Sequence, residues 1–220
     1  PGGDNSTLPS EVDVVVVGSG YTGLHAALQT ARDGLGTLVL DAETLGFGCS
    51  SRNGGQVSTS VKGSYPSLAK QYGHDGAVGL LREGINALDF LHEFIRHEAL
   101  ECAWQRCGRF SGAHNTKTYD TMAKDLSSLP SEVALDWHMV PRAEQRGEIG
   151  SDYYHGGVVH PDHASLDPGR YHLALLERVR SAGATTIGQC PVLRIEPVSQ
   201  GFVVHTTQGV VKAKHVAIAT

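Results

Sequence analysis

The sequence predicts an α/β protein in which a Rossmann-like βαβ unit has a β-rich α+β segment inserted into it. Three observations predict this. Val14-Val15-Val16-Val17 is a β-branched run suited to a strand buried on both faces. Gly18-Ser19-Gly20-Tyr21-Thr22-Gly23 follows it directly and opens a helical stretch, Leu24 to Asp33. Thr37-Leu38-Val39-Leu40 then reads as a second strand and ends in Asp41.

Strand, glycine turn, helix and acid together make a dinucleotide site. Gly18 permits the tight turn, Gly20 lets a pyrophosphate approach the backbone, and Gly23 lets helix and strand pack closely. The helix start offers N–H groups and a positive dipole end. Asp41 lies about 20 residues beyond the glycines, where an acid hydrogen-bonds the adenosine ribose and repels a 2′-phosphate. The alternative is a glycine-rich structural turn.

The totals set bounds. The chain has 220 residues, is 40% hydrophobic and 19% charged, and carries a net charge of −5, which allows one or two globular domains with a real core. An acidic balance gives no reason to expect nucleic acid or an anionic membrane as partner. No apolar run approaches the about 20 residues that span a bilayer. Residues 1–10 are polar, lack a signal-peptide core and read as a disordered leader with a processing scar. Cys49, Cys102, Cys107 and Cys190 match no zinc spacing, so free, mostly buried thiols in a cytoplasmic protein are expected.

After Asp41 and Ala42 the chain makes a second polar, glycine-rich passage, Gly46-Phe47-Gly48-Cys49-Ser50-Ser51-Arg52-Asn53-Gly54-Gly55-Gln56-Val57. Arg52 could neutralise a pyrophosphate that hydroxyls and N–H groups cradle. A flexible surface loop is the bland alternative.

Asp13 to Leu24, Asp41 and Gly46 to Gln56 together resemble the D-amino-acid oxidase/glycine oxidase superfamily of FAD-dependent oxidoreductases. Within it the chain looks most like the gamma-glutamylputrescine oxidoreductase group. That group's loop reads G-W-G-A-S-G-R-N-G-G-Q; here Phe47 replaces Trp, Cys49 replaces Ala and Ser51 replaces Gly. The resemblance implies that Ser50, Arg52, Asn53 and Gly54 lie near the FAD pyrophosphate and ribityl, and that Gly55, Gln56 and Val57 approach the flavin ring. Cys49 raises covalent flavin attachment, against a plain small residue.

Further along, Val78, Leu81, Ile85, Leu88, Leu91 and Ile95 step by three or four, so residues 75–99 read as one long helix with Asp75 as N-cap. Residues 101–114 read as strands around a Gly108 turn, 116–127 as a short helix, 137–149 as irregular and 152–161 as strand-like. His155, His160, His163 and His172 are close in sequence, but no metal motif contains them, and no metal site is expected. Tyr153 and Tyr154 read as strand tyrosines in preference to catalytic ones.

Asp167-Pro168 starts a helix that runs to Gly183. Strands follow at 185–188 and 191–195, then a hairpin of 202–206 and 210–213, then a last strand, 215–220. The resemblance extends here: the backbone of Val192 would hold adenine, and the strand ending Ala219-Thr220 would lie at the flavin. It implies a discontinuous FAD-binding domain of 11–99 and 165–220, with 100–164 beginning a substrate domain.

Members of the superfamily are roughly twice as long, so the chain is expected to be an N-terminal half, either a fragment or one part of a split protein whose partner is the missing C-terminal half. The implied activity is oxidation of an amine or amino acid at its C–N bond to an imine, with oxygen as acceptor and hydrogen peroxide as product. This half alone is expected to be inactive. An NAD-linked dehydrogenase is the second reading, opposed by the Ser50–Gln56 loop and the hairpin after Val192. A non-catalytic FAD-binding subunit is the third.

Overall fold

The computed structural model describes residues 7–133 and 135–220. The elements in order are β1 (Glu11–Val17), α1 (Tyr21–Arg32), β2 (Thr37–Leu40), β3 (Gln56–Val57), α2 (Tyr65–His97), β4 (Arg109–Gly112), α3 (Thr116–Ser127), β5 (His138–Val140), β6 (Gly157–His160), β7 (Ala164–Ser165), α4 (Pro168–Ser181), β8 (Thr185–Ile187), β9 (Val192–Val198), β10 (Gly201–Thr206) and β11 (Gly209–Ile218). The fold is α/β and Rossmann-like, as the sequence predicts. Two compact units share the chain: residues 1–54, 100–102 and 167–220 form the first, and 55–99 and 103–166 the second. Residues 55–99, expected with the nucleotide end, therefore group with the inserted segment.

The first unit is a six-stranded sheet in the order β8-β2-β1-β11-β10-β9. Val14, Val15 and Val16 of β1 are buried, on both faces of the strand, which explains the β-branched run. Val15 packs with Leu38, Leu40, Ile187, Val204 and Val211 on one side. Val16 faces α1, where its Cγ1 lies 3.3 Å from a Cβ built on Gly23.

Residues 209–218 form one strand, not a hairpin arm and a separate strand. Its first half pairs antiparallel with β10 (Val211 with Val204), and its second half pairs parallel with β1 (His215 with Val14). The polar Lys212, Lys214 and His215 interrupt the apolar pattern without interrupting the backbone ladder. Residues 1–6 lie outside the described part of the leader. The rest of it is ordered: Leu8 packs against the core, and the Ser10 carbonyl accepts from the Lys212 N–H at 3.0 Å.

α4 is capped as its sequence suggests, with the Arg170 N–H donating to Asp167 Oδ1 at 3.0 Å and Pro168 in the first turn. It packs on α1 through Tyr171. The Tyr21 and Tyr171 rings meet edge to face at 5.1 Å, and the Tyr171 hydroxyl shares a 2.9 Å hydrogen bond with His25 Nε2. Burial pushes the Tyr171 phenol up and the His25 imidazole down, so both stay neutral at neutral pH.

In the second unit β4-β6-β5 form an antiparallel sheet, and β3 pairs with β7. α2 begins ten residues before the expected N-cap. A kink at Gly73 (φ 74°, ψ 173°) joins two helical stretches, and Asp75 sits just past it. The apolar stripe from Val78 to Ile95 faces inward, with Val78, Leu88 and Ile95 buried. Of residues 101–108, only Gln105 makes a β-bridge, to Ser165; the regular strand starts at Arg109. No helix among the described residues is long and apolar enough to cross a membrane.

Candidate functional site

The C-terminal ends of β1, β2 and β11 open onto a cleft of about 650 Å³ in the first unit. Gly18, Gly20, Tyr21, Thr22, Asp41, Ala42, Ser50, Val192, Ala219 and Thr220, all expected from sequence, line it. A crevice beyond the carboxyl ends of parallel strands is where open α/β sheets bind ligands.

The glycine turn is dictated by close approach. Gly18 has φ 107°, and a Cβ there would lie 2.5 Å from the Ala219 carbonyl oxygen. A Cβ on Gly23 would lie 2.0 Å from the Gly18 carbonyl oxygen, so α1 reaches the turn only without a side chain. No side chain caps α1 at Gly20, and a helix start carries N–H groups with no intrahelical partner. The Tyr21 N–H donates to Ser50 Oγ at 3.2 Å. Ser50 thereby docks the second glycine-rich passage onto the first. These features fit a dinucleotide pyrophosphate: bare backbone, an open helix N-terminus and a hydroxyl beside it.

Asp41 is held at one end. Its Oδ2 accepts from the Ser19 N–H at 2.8 Å and from the Ser19 hydroxyl at 2.5 Å, and Oδ1 accepts from the Glu43 N–H at 3.0 Å. The Cys190 N–H donates to the Asp41 carbonyl at 2.8 Å, and the Gln189 N–H to the Glu43 carbonyl at 2.7 Å. These bonds draw the start of β9, and Val192 with it, to the acid end of the cleft.

The second glycine-rich passage opens on a tight turn. Cys49–Ser51 is a 3₁₀ turn, and the Asn53 amide donates to the Cys49 and Ser50 carbonyls at 3.2 and 3.1 Å. Asn53 thus closes this turn, and neither it nor Gly54 is among the cleft-lining residues. The Arg52 guanidinium stacks 4.5 Å from the centroid of Phe47, and it is Phe47 that lines the cleft. Gly55, Gln56 and Val57 belong to the second unit, where β3 pairs with β7.

Several further residues belong to the site beyond the cofactor positions expected from sequence. Ser19, Glu43, Gly46, Phe47 and Gly48 all contribute to the cleft or its supports. His172 is buried, and its Nε2–H donates to the Ser19 carbonyl at 2.7 Å. Its sequence neighbours His155, His160 and His163 fall in the other unit. Among the described residues no group of three or more His, Cys, Asp or Glu is placed to hold a metal ion. Cys102 and Cys190 are buried and Cys49 and Cys107 exposed, so the expectation of mostly buried thiols holds for two of the four.

The sheet order, the glycine turn and the crevice define a Rossmann-like dinucleotide-binding protein. The chain belongs to the FAD dependent oxidoreductase family (DAO), whose pattern matches residues 13–220, and FAD is the cofactor of that family. It is 30% identical over 94% of its length to gamma-glutamylputrescine oxidoreductase of Escherichia coli, of which it covers 48%. It is 27% identical over 97% of its length to a probable oxidoreductase, OrdL, of Haemophilus influenzae, of which it covers 50%. Among solved structures, glycine oxidase from Geobacillus kaustophilus superposes with a TM-score of 0.83 at 18% identity, over 96% of this chain and 56% of that one. The chain thus spans about half the length of the curated relatives it matches.

Proposed function

We propose that this chain supplies the FAD-binding part of an enzyme that oxidises the C–N bond of a small amine or amino acid to an imine, with oxygen as the electron acceptor. The observation that supports it most is the cleft itself, where a helix start with glycine at its N-cap, bare glycine backbone and a fixed carboxylate converge.

In this reading the α1 N-terminus and Gly20 hold the pyrophosphate, and Ser50 adds a hydroxyl. Asp41 accepts from the adenosine ribose, and Val192 lies beside adenine. Ala219 and Thr220 border the end of the cleft nearest the flavin. Bound flavin supplies the two-electron chemistry, and the protein supplies orientation and a site where the amine is held unprotonated. The compounds in the names of two relatives, the gamma-glutamylputrescine oxidoreductase of Escherichia coli and the glycine oxidase of Geobacillus kaustophilus, both carry a C–N bond.

The test is a visible spectrum of the purified chain before and after adding FAD. Bound oxidised flavin is the expected result. Binding of NAD in place of FAD would overturn the cofactor reading. An amine panel on the full-length enzyme, read by peroxide, tests the reaction. Flavin bleaching by substrate without peroxide would replace oxygen with another acceptor.

A further inference from the structure

One imidazole links the two loops that build the acid end of the cleft. His172 lies on the buried face of α4 and is 1% exposed. Its Nε2 faces the Ser19 carbonyl at 2.7 Å, and a carbonyl only accepts, so Nε2 carries the proton. On its other side the ring fills the place of a side chain at Gly46: a Cβ there would lie 2.5 Å from His172 Cε1. Gly46 in turn donates its N–H to Ser19 Oγ at 3.1 Å. Ser19 is therefore fixed at both ends, its carbonyl by His172 and its hydroxyl oxygen by Gly46. Its hydroxyl hydrogen is left to point at Asp41.

We propose that His172 is a positioning residue for nucleotide recognition, acting through Ser19 to aim the Asp41 carboxylate at a ribose 2′-hydroxyl. Three of the roughly four lone-pair sites of Asp41 are taken by Ser19 and Glu43, which leaves one for a ligand hydroxyl. Where that site points depends on Ser19, and Ser19 depends on His172. Simple core packing would ask only for an apolar ring or a branched aliphatic at this place. The donated hydrogen bond to a buried carbonyl asks for more.

This inference rests on reading the cleft as the FAD adenosine site, and the experiment separates the two. ADP and 2′-deoxy-ADP are titrated calorimetrically into the chain and into His172→Leu, His172→Gln and Ser19→Ala. The unaltered chain should prefer ADP by about tenfold, as expected for one hydrogen bond to a charged group. His172→Leu should bring that ratio to within about twofold. His172→Gln, which keeps an amide donor, should restore most of it. Ser19→Ala, which keeps the Ser19 N–H, should fall between. A ratio undiminished in His172→Leu and Ser19→Ala, even with weaker binding of both nucleotides, overturns the positioning role. If His172→Leu fails to fold, an undiminished ratio in Ser19→Ala alone overturns it. An unaltered chain that binds neither nucleotide defeats the adenosine reading itself.

Discussion

A Cβ on Gly23 would sit 2.0 Å from the carbonyl oxygen of Gly18. The two outer glycines of the motif are thus one contact: the first makes the turn, and the third lets the helix come down onto it. Real side-chain carbons do not approach so closely, so Gly23→Ala must push α1 away from β1. Gly18→Ala adds a clash with Ala219 at a φ of 107°. Each substitution should cost at least about 2 kcal/mol in urea unfolding. Loss of under about 0.5 kcal/mol in both would mean that the turn is looser than described.

Asp41→Ala should lower affinity for ADP by about 10- to 100-fold, the worth of a hydrogen bond to a charged acceptor. It should also destabilise the chain by about 1–3 kcal/mol, because the nearly inaccessible Ser19 loses the acceptor of its N–H and hydroxyl. Calorimetry and chemical denaturation read the two effects separately. A stability loss with unchanged nucleotide affinity would assign Asp41 to the scaffold alone.

In the second unit His160 and His163 stack at 4.5 Å with Trp137 edge-on to both. Burial, and then the neighbouring His163 and Arg109 charges, push His160 down to about 4; burial lowers His163 in the same direction. An unfolded histidine titrates near 6.5. As pH falls from about 6.5 towards 4, the unfolded chain takes up protons that the fold refuses, so the histidine contribution to stability falls through that window and levels off below it. The carboxylates Asp13, Glu93, Glu132 and Asp152 are all lowered by their hydrogen-bond partners, so they add a loss of the same sign from the lower end of this window downwards. Urea midpoints at pH 7, 6 and 5 should fall steadily, and His160→Phe should flatten the trend. Equal midpoints in the unaltered chain would count against it.

Leu175 on α4 is fully buried. Leu175→Ala should cost about 2–5 kcal/mol, the usual range for a cavity of that size. A smaller loss would show that α4 settles inward to fill the gap.

Much of this was legible in the sequence because the signals are local. The β1 valines, the glycine turn, α1, β2 and Asp41 follow one another within thirty or so residues and specify each other. The same holds for the Asp167-Pro168 cap of α4 and for α3. What escaped was non-local or disguised. His172 touches Ser19 across the whole length of the insertion, and its residue type suggests metal binding before it suggests a donor to a carbonyl. The unit boundary falls between two glycines, Gly54 and Gly55, where composition does not change. The early start of α2 was hidden by Gly73, which reads as a stop yet only kinks the helix. Arg52 carries the charge a phosphate site wants, and its stacking on the ring of Phe47 is a contact that spacing does not announce.

β11 lies in the middle of its sheet and near the end of the described chain. Val14 and its partner His215 are separated by about 200 residues. During synthesis the first strand therefore waits, with one edge open, until the whole stretch between β1 and β11 has been made. The βαβ unit at the start cannot finish its sheet by itself, and the intervening segment must stay out of the gap meanwhile. Such a chain has a long interval in which an unpaired valine-rich edge is available to other molecules, so its yield in cells should respond to translation speed and to chaperones that shield extended strands.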